Sequence, residues 1–249
     1  MRVAVISDSH GDLVATQAVI ADVDAMQPDL VVVAGDITQG GPQPAEVLAT
    51  LRLRGWPCVR GNSDDFLVAI ARGEAVPADA TPAQLERGRW SIDRLGEEAI
   101  DFLAGLPVTL DVADAPNGRL VVCHATPWST EAVVLPDSSE AEAQAMVDAA
   151  SAGTLGYGHI HSPYQRRLRD AVLLSVGAIS GSNDADPRPA YSLVEFEADV
   201  RVRVRRVECS VDSQRDAYRA AGLEAPASLG SPGPWPVRSE ADVAVRLWP

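Results

Sequence analysis

The chain begins with two short, mostly apolar strands, and each is followed by a turn that carries an acidic residue. The first strand is predicted over residues 2–6, before Asp8, and the second over residues 30–34, before Asp36. A helical pattern over residues 13–26 joins them. The strands lack the polar alternation of a half-exposed sheet, so we expect a sheet covered on both faces. This beginning restricts the chain to an α/β fold.

The pattern of strand, turn and helix then repeats. A short strand predicted over residues 57–60 leads into Asn62. Asp8 and Asp36 are 28 positions apart, and Asn62 follows 26 positions later. Each interval is close to the length of one βαβ unit, about 30 residues. Right-handed crossovers would place these strands parallel in one sheet, so we expect the three polar side chains at one edge, where such sheets bind ligands.

The rest of the chain is predicted to mix helices and strands. Helices are predicted over residues 44–54, 65–72, 82–103, 139–152 and 211–221, and strands over 108–112, 120–123, 154–157, 164–168, 172–176, 191–196 and 201–207. Gly88 and Gly96 are expected to weaken the longest helix, and a turn is predicted at 116–118. We expect one large domain over residues 1–221 and a tail rich in Pro and Gly over 222–249 that packs on it.

The histidines suggest what the sheet edge binds. The chain has four, and they are His10, His124, His159 and His161. His10 follows Asp8 by two positions, and alternate residues of an extended segment point to the same side, so this pair can converge on one point. The other three histidines follow short apolar or glycine-bounded segments. Taken singly, each imidazole could be an ordinary surface or core residue, and Asp8 and Asp36 could cap turns or helices.

Taken together, the motifs resemble those of the calcineurin-like metallophosphoesterase superfamily, in its small YfcE-like branch. In order they are Asp8-x-His10, Gly35-Asp36, Gly61-Asn62-x-Asp64, His124 and Gly158-His159-x-His161. A later segment, Ser175-Val176-Gly177 followed by residues 186–191, extends the similarity to about residue 207. The resemblance implies a four-layer α-β-β-α sandwich of two mixed sheets flanked by helices.

The same resemblance implies a binuclear metal centre. One ion would be bound by Asp8, His10, Asp36 and His161, and the other by Asp36, Asn62, His124 and His159. Asp36 would bridge the ions, and Asp36, Asn62 and His124 are the expected catalytic residues. Mixed imidazole, carboxylate and carboxamide ligands suit divalent or trivalent Mn, Fe, Zn or Ni better than Mg or Ca. The implied activity is that of a phosphodiesterase, with a metal-bridging hydroxide as the in-line nucleophile.

One position departs from the superfamily pattern. The third motif commonly reads Gly-Asn-His-Asp/Glu, and Ser63 stands here in place of the histidine that is thought to protonate the leaving group. A serine hydroxyl has no suitable pKa for that role. We therefore expect faster hydrolysis of diesters with good leaving groups, such as aryl phosphates, than of alkyl monoesters. Asp64 is expected to cap a helix or support the ligands and not to bind metal.

Two alternative functions stay open. The superfamily includes a retromer subunit that is a protein-binding scaffold and whose site lacks a key histidine. Every ligand position is filled in this chain, which disfavours a non-catalytic metal-binding scaffold. The other alternative is a phosphomonoesterase or nucleotide phosphatase, and Ser63 weighs against the protein Ser/Thr phosphatases.

The composition disfavours nucleic acid and membranes as binding partners. The formal net charge of −14 disfavours nucleic acid, because that affinity comes largely from Lys and Arg that neutralise phosphates. No apolar run approaches the ~20 residues of a membrane-spanning helix. The first predicted strand starts at residue 2, so we expect no signal peptide and a cytoplasmic protein. The expected substrate is a small phosphate ester, and formation of a homo-oligomer is left open.

Overall fold

Two mixed five-stranded sheets lie at the centre of the computed structural model, which describes residues 1–115, 118–197, 199–235 and 243–245. The strands are β1 (Arg2–Ile6), β2 (Leu30–Val33), β3 (Thr109–Ala115), β4 (Gly118–Cys123), β5 (Thr154–Tyr157), β6 (Tyr164–Arg167), β7 (Val172–Ser175), β8 (Ala190–Phe196), β9 (Val200–Arg206) and β10 (Val243–Val245). The helices are α1 (Leu13–Met26), α2 (Pro44–Arg54), α3 (Asn62–Arg72), α4 (Pro82–Leu95), α5 (Glu97–Ala104), α6 (Glu140–Ala150) and α7 (Val211–Ala220). One sheet has the order β10-β9-β8-β1-β2, and the other β3-β4-β5-β7-β6.

The strands bury side chains on both faces, and this gives the molecule four layers. On β1, Ile6 packs in a cluster with residues of α1, α2, α3 and α5, whereas Val5 packs against the second sheet. On β4, Val122 faces the first sheet and Val121 packs with residues of α6. The expected four-layer α-β-β-α sandwich of mixed sheets is confirmed. Burial on both faces also explains why these strands show no polar alternation.

Parallel pairing brings strand ends together. β1 runs parallel to β2, with Val3 opposite Leu30. In the second sheet β4, β5 and β7 are parallel neighbours. The helix α1 connects β1 to β2, and α6 connects β4 to β5, as crossover helices of βαβ units do. The segments that follow β1, β2, β4, β5 and β7 can therefore share a site.

Some sequence-based boundaries were wrong. The predicted strand over residues 57–60 is reduced to a single bridge between Cys58 and Val33, because the chain turns into a helix directly afterwards. That helix, α3, begins at Asn62 and not after Asp64, since Gly61 is its N-cap and the Asp64 carboxylate, in the first turn, accepts the Gly61 N–H. The long helix predicted to weaken at glycines does break at Gly96, between α4 and α5.

The C-terminal region contacts the rest of the domain in three places. α7 packs on α1, β10 pairs with β9, and the side chain of Trp235 packs against the cluster between the second sheet and α6. Most of the turn predicted at 116–118, and residues 236–242 and 246–249 of the predicted tail, lie outside the described residues. Across the described ranges, no helix has the length and apolar character to span a membrane.

Candidate metal centre

The seven predicted ligand residues come together at one end of both sheets. Asp8 and His10 follow β1, Asp36 follows β2, Asn62 begins α3, His124 follows β4, and His159 and His161 follow β5. Backbone hydrogen bonds tie the first two loops to each other. The Asp8 N–H donates to Gly35 O at 3.1 Å, and the His10 N–H donates to Asp36 O at 3.0 Å. These bonds continue the β1–β2 pairing past the strand ends and hold both loops in register.

An unusual backbone conformation marks most of these residues. Five of the seven have positive φ, and they are Asp8 (57°), His10 (46°), Asp36 (52°), His159 (65°) and His161 (55°). Among the described non-glycine residues, Gln27 and Ser151 are the others with positive φ, and both end helices. Non-glycine residues seldom adopt this conformation, and it persists where the surrounding structure imposes it, often at functional sites. The fold therefore imposes an energetically costly backbone conformation on these residues.

Three of the side chains form a first group around Asp8. The Nε2 atom of His161 lies 3.1 Å from Asp8 Oδ1 and 3.1 Å from His10 Nε2. His10 Nε2 is 3.8 Å from Asp8 Oδ1 and 3.6 Å from Asp36 Oδ2. Together with Asp36 Oδ2, this group thus presents two imidazole nitrogens and two carboxylate oxygens to one small volume.

A second group lies on the other side of Asp36. Asn62 Oδ1 is 2.9 Å from His124 Nε2 and 3.1 Å from His159 Nδ1. His124 Nε2 is 3.4 Å from Asp36 Oδ1. Asp36 therefore turns Oδ2 toward the first group and Oδ1 toward the second, which is the placement that a bridging ligand needs.

Backbone carbonyls fix the orientation of three imidazoles. His10 Nδ1 donates to Gln39 O, His124 Nδ1 to Ala34 O and His161 Nδ1 to Gly181 O, each at 2.8 Å. A carbonyl only accepts, so Nδ1 carries a hydrogen and the Nε2 lone pair of each neutral ring faces the site. Lone pairs of His10 and His161 that face each other at 3.1 Å repel unless a proton or another cation intervenes. Metal-binding histidines have this arrangement.

The residues fit transition-metal ions. Asp8 Oδ1 is buried and accepts no well-oriented hydrogen bond, although His161 Nε2 is close by. A buried carboxylate oxygen in this state is costly, and a cation would relieve the cost. Ligand atoms of Asp8, His10 and His161 lie within 4.8 Å of one another, as do those of Asp8, Asp36 and His124. Imidazole, carboxylate and carboxamide donors together favour transition metals over Mg or Ca.

Burial and neighbouring charges shift the pKa values of the residues in the site. Burial alone would raise the pKa of Asp8, but His161, His124 and His10 lower it well below its usual range. Burial would lower the pKa of His161, but the neighbouring Asp8 carboxylate raises it to about 9. Burial and the nearby His124 lower the pKa of His159. The carboxylates thus attract positive charge to the first group, whether it arrives as protons or as metal ions.

Sequence reasoning missed the role of Ser63. Its hydroxyl donates to Asp36 Oδ2 at 2.7 Å, and its backbone N–H donates to Asp36 Oδ1 at 2.9 Å. Its place beside Asn62 at the start of a helix was the available signal, because helix N-termini bind carboxylates.

The supporting role expected of Asp64 is confirmed. Its carboxylate accepts the backbone N–H groups of Asp36, Ile37 and Gly61 at 3.0 to 3.1 Å. Burial and the nearby Asp36 charge raise the pKa of Asp64 to about 7. A Cβ at position 61 would collide with the Asp36 carboxylate, so this close approach requires glycine.

Known proteins share the fold of this chain. Residues 1–199 match the model of the calcineurin-like phosphoesterase superfamily domain. A metallophosphoesterase from Sphaerobacter thermophilus is similar, with 25% identity and a TM-score of 0.74 over 92% of this chain and 97% of that one. A hypothetical protein from Pyrococcus horikoshii OT3 has 17% identity and a TM-score of 0.80, over 94% of this chain and 99% of its own.

A third structure belongs to the family branch expected from the motifs. The E. coli phosphoesterase YfcE has 18% identity to this chain and a TM-score of 0.50, over 83% of this chain and 93% of its own. At this level of identity the likeness concerns the fold alone, as it does for the Pyrococcus protein. No curated protein sequence matches the chain.

Proposed function

Because the chain belongs to the calcineurin-like phosphoesterase superfamily, we propose that it is a binuclear metal-dependent phosphodiesterase. The observation that carries the proposal is the position of Asp36, whose two carboxylate oxygens face separate groups of imidazole and oxygen donors. A site with only one ion would not need a carboxylate placed between two such groups. The presence of all seven ligand positions disfavours a non-catalytic scaffold.

The proposed ligand sets follow the two groups. Asp8, His10, Asp36 and His161 would hold one ion, and Asp36, Asn62, His124 and His159 the other. Bound there, two transition-metal ions would activate water as the nucleophile and stabilise negative charge on the phosphate oxygens. The three Nδ1–H bonds to backbone carbonyls would keep the imidazoles aimed at the ions during turnover.

The surroundings of two further side chains support roles for them. The Oδ1 atom of Asn62 faces His124 and His159, so its amide nitrogen is directed elsewhere and can donate to a phosphate oxygen. The Ser63 hydroxyl is committed to Asp36 and is not available to protonate a leaving group. This supports a preference for substrates whose leaving group departs as a stable anion.

The test is hydrolysis of bis(p-nitrophenyl) phosphate with added Mn²⁺. We expect turnover that a chelator abolishes and that Mn²⁺ restores. Asp36→Asn should reduce turnover to near background, because the amide removes the negative charge shared by both groups. Asp137→Asn, which changes an exposed carboxylate in a loop, is the matched control and should stay active. Turnover that is insensitive to chelator, or equal in Asp36→Asn, would refute the proposal.

The expected leaving-group preference has its own measurement. The kcat/KM for the aryl diester should exceed that for an unactivated alkyl monoester, because Ser63, in place of the family's histidine, donates its hydroxyl hydrogen to Asp36 and not to a poor leaving group. Comparable kcat/KM values for the two esters would show that some other group donates the proton.

A further inference from the structure

A cavity of about 380 Å³ opens beside the proposed metal centre. Asn62 and His159, two of the proposed ligands, are among the residues that line it. Its walls come from α3, from the segment before and into α4, and from the loop between β4 and α6. Ligand sites usually range from about 300 to 1,000 Å³, so this cavity matches a small organic group. An ester whose phosphate reached the metal ions would place its alcohol portion here.

The charges of the cavity are unbalanced. Its eleven lining residues include Asp79 and Glu131 but no Lys or Arg. Within the described part of the chain, neither carboxylate forms an ion pair. Phe66 contributes an aromatic ring and Val133 an apolar side chain to the same lining. Carboxylates combined with an aromatic surface favour an organic cation, and they repel an additional phosphate.

We propose that this cavity selects phosphate esters of a cationic alcohol of the quaternary ammonium type, with Asp79 and Glu131 as the residues that determine the preference. This inference rests on the proposed function, since it takes the phosphate to lie at Asn62 and His159. The substrate would be a zwitterion, with its anionic phosphate at the metal ions and its cation in the cavity that Asp79 and Glu131 line. Nucleoside di- and triphosphates would be poor ligands, because their further phosphates would enter an acidic cavity.

The test compares two substrates that differ only in charge. Both are p-nitrophenyl phosphodiesters, one with choline as the second alcohol and the other with its neutral isostere 3,3-dimethylbutanol. Release of p-nitrophenolate reports both reactions. We expect the choline ester to have a kcat/KM about fivefold higher at low ionic strength, and the ratio to fall as salt is added, because exposed charges are screened.

Variants identify the residues responsible. Asp79→Asn combined with Glu131→Gln should bring the ratio of the two kcat/KM values close to one and remove its salt dependence. Asp170→Asn combined with Glu224→Gln changes the net charge equally at exposed positions outside the cavity lining and should keep the wild-type ratio. A wild-type ratio at or below one, or an equal loss in both double variants, would overturn the inference.

A binding measurement separates this inference from the proposed activity. Calorimetric titration of the Zn²⁺-loaded protein with phosphocholine and with 3,3-dimethylbutyl phosphate requires no turnover. Tighter binding of phosphocholine that depends on Asp79 and Glu131 would uphold the cavity assignment even if neither diester were hydrolysed. Hydrolysis of both diesters with no preference in either assay would refute the cavity assignment and leave the phosphodiesterase intact. Absence of both binding and hydrolysis would refute both.

Discussion

At the scale of single residues, the proposed metal centre depends on the hydrogen bonds that orient the Asp36 carboxylate. Ser63 supplies two hydrogen bonds to it, and Asp64 accepts the N–H groups of Asp36 and Ile37. A carboxylate that bridges two ions has to keep both oxygens in place when the ions are absent. Loss of a neighbour that orients a metal ligand in this way typically costs about 10- to 100-fold in metal affinity or activity.

Replacing Ser63 tests this support. Ser63→Ala removes the 2.7 Å hydroxyl bond and keeps the backbone bond, so we expect Mn²⁺ to bind about tenfold more weakly. Activity should be recovered at high Mn²⁺ concentration, because the ligands themselves are intact. Ser63→Thr retains a hydroxyl and should bind Mn²⁺ more tightly than the alanine variant. Calorimetric titration measures both, and unchanged affinity in Ser63→Ala would show that Asp36 needs no such support.

The sequence identified the candidate ligands but not their support. Asp8, Asp36 and Asn62 could be placed at one edge because βαβ spacing dictates where parallel strands end. The partners of Ser63 could not be read from the chain, since the contact joins positions 27 residues apart and depends on the exact start of α3. The metal-binding role of the seven residues stays a prediction.

At the scale of elements, Asp22 joins α1 to two strands of the first sheet. Its carboxylate accepts two hydrogen bonds from Arg205 on β9, at 2.6 and 2.9 Å, and one from the buried Tyr191 hydroxyl on β8, at 2.8 Å. The bond from Arg205, and after it that from Tyr191, lowers the pKa of Asp22 against the effect of burial.

A lowered carboxyl pKa stabilises the folded state only where the group is ionised. Asp22→Asn should therefore reduce the free energy of unfolding by about 1 kcal/mol at pH 7. The difference from wild type should begin to shrink below about pH 4, where Asp22 of the unfolded chain takes up a proton, and should be lost once the pH falls through the lowered pKa of folded Asp22. Asp24→Asn, on the same helix but with an exposed partner in Arg54, should cost less. The measurement is urea unfolding at pH 7 and below pH 4. A difference between variant and wild type that does not change with pH would contradict this explanation.

A second contact between elements fixes the C-terminal helix. Gln214 on α7 donates to Asp12 Oδ2 at 2.5 Å, and both side chains are buried. Asp12 also caps α1, two residues after His10. Gln214→Ala should lower the free energy of unfolding by about 1 to 3 kcal/mol, because it leaves a buried carboxylate oxygen poorly satisfied. Gln144→Ala, on the exposed side of α6, is the control. Equal effects in urea unfolding would contradict the prediction.

The elements were predicted less well where pairing is non-local. Apolar runs located β1, β2, β4 and β5, and local capping signals located α4 and α6. Residues 57–60 resembled a strand, but within the described residues their ladder is a single bridge, from Cys58 to Val33. The insertion of β8 between β1 and β9 depends on contacts nearly 200 residues apart, which no local pattern encodes.

At the scale of the whole molecule, the two sheets supply different parts of one site. The first sheet contributes Asp8, His10 and Asp36, and the second contributes the three remaining histidines. Packing of the sheets face to face is therefore required for the two groups to meet. The net charge of −14 is partly offset when cations bind at this junction.

In the proposed centre Asp36 lies between two metal ions. The most direct measurement is anomalous scattering from crystals grown with Mn²⁺. We predict two anomalous peaks about 3.5 to 4 Å apart, each within bonding distance of a different Asp36 oxygen. One peak would lie beside Asp8, His10 and His161, and the other beside Asn62, His124 and His159. A single peak, or peaks away from Asp36, would contradict the account.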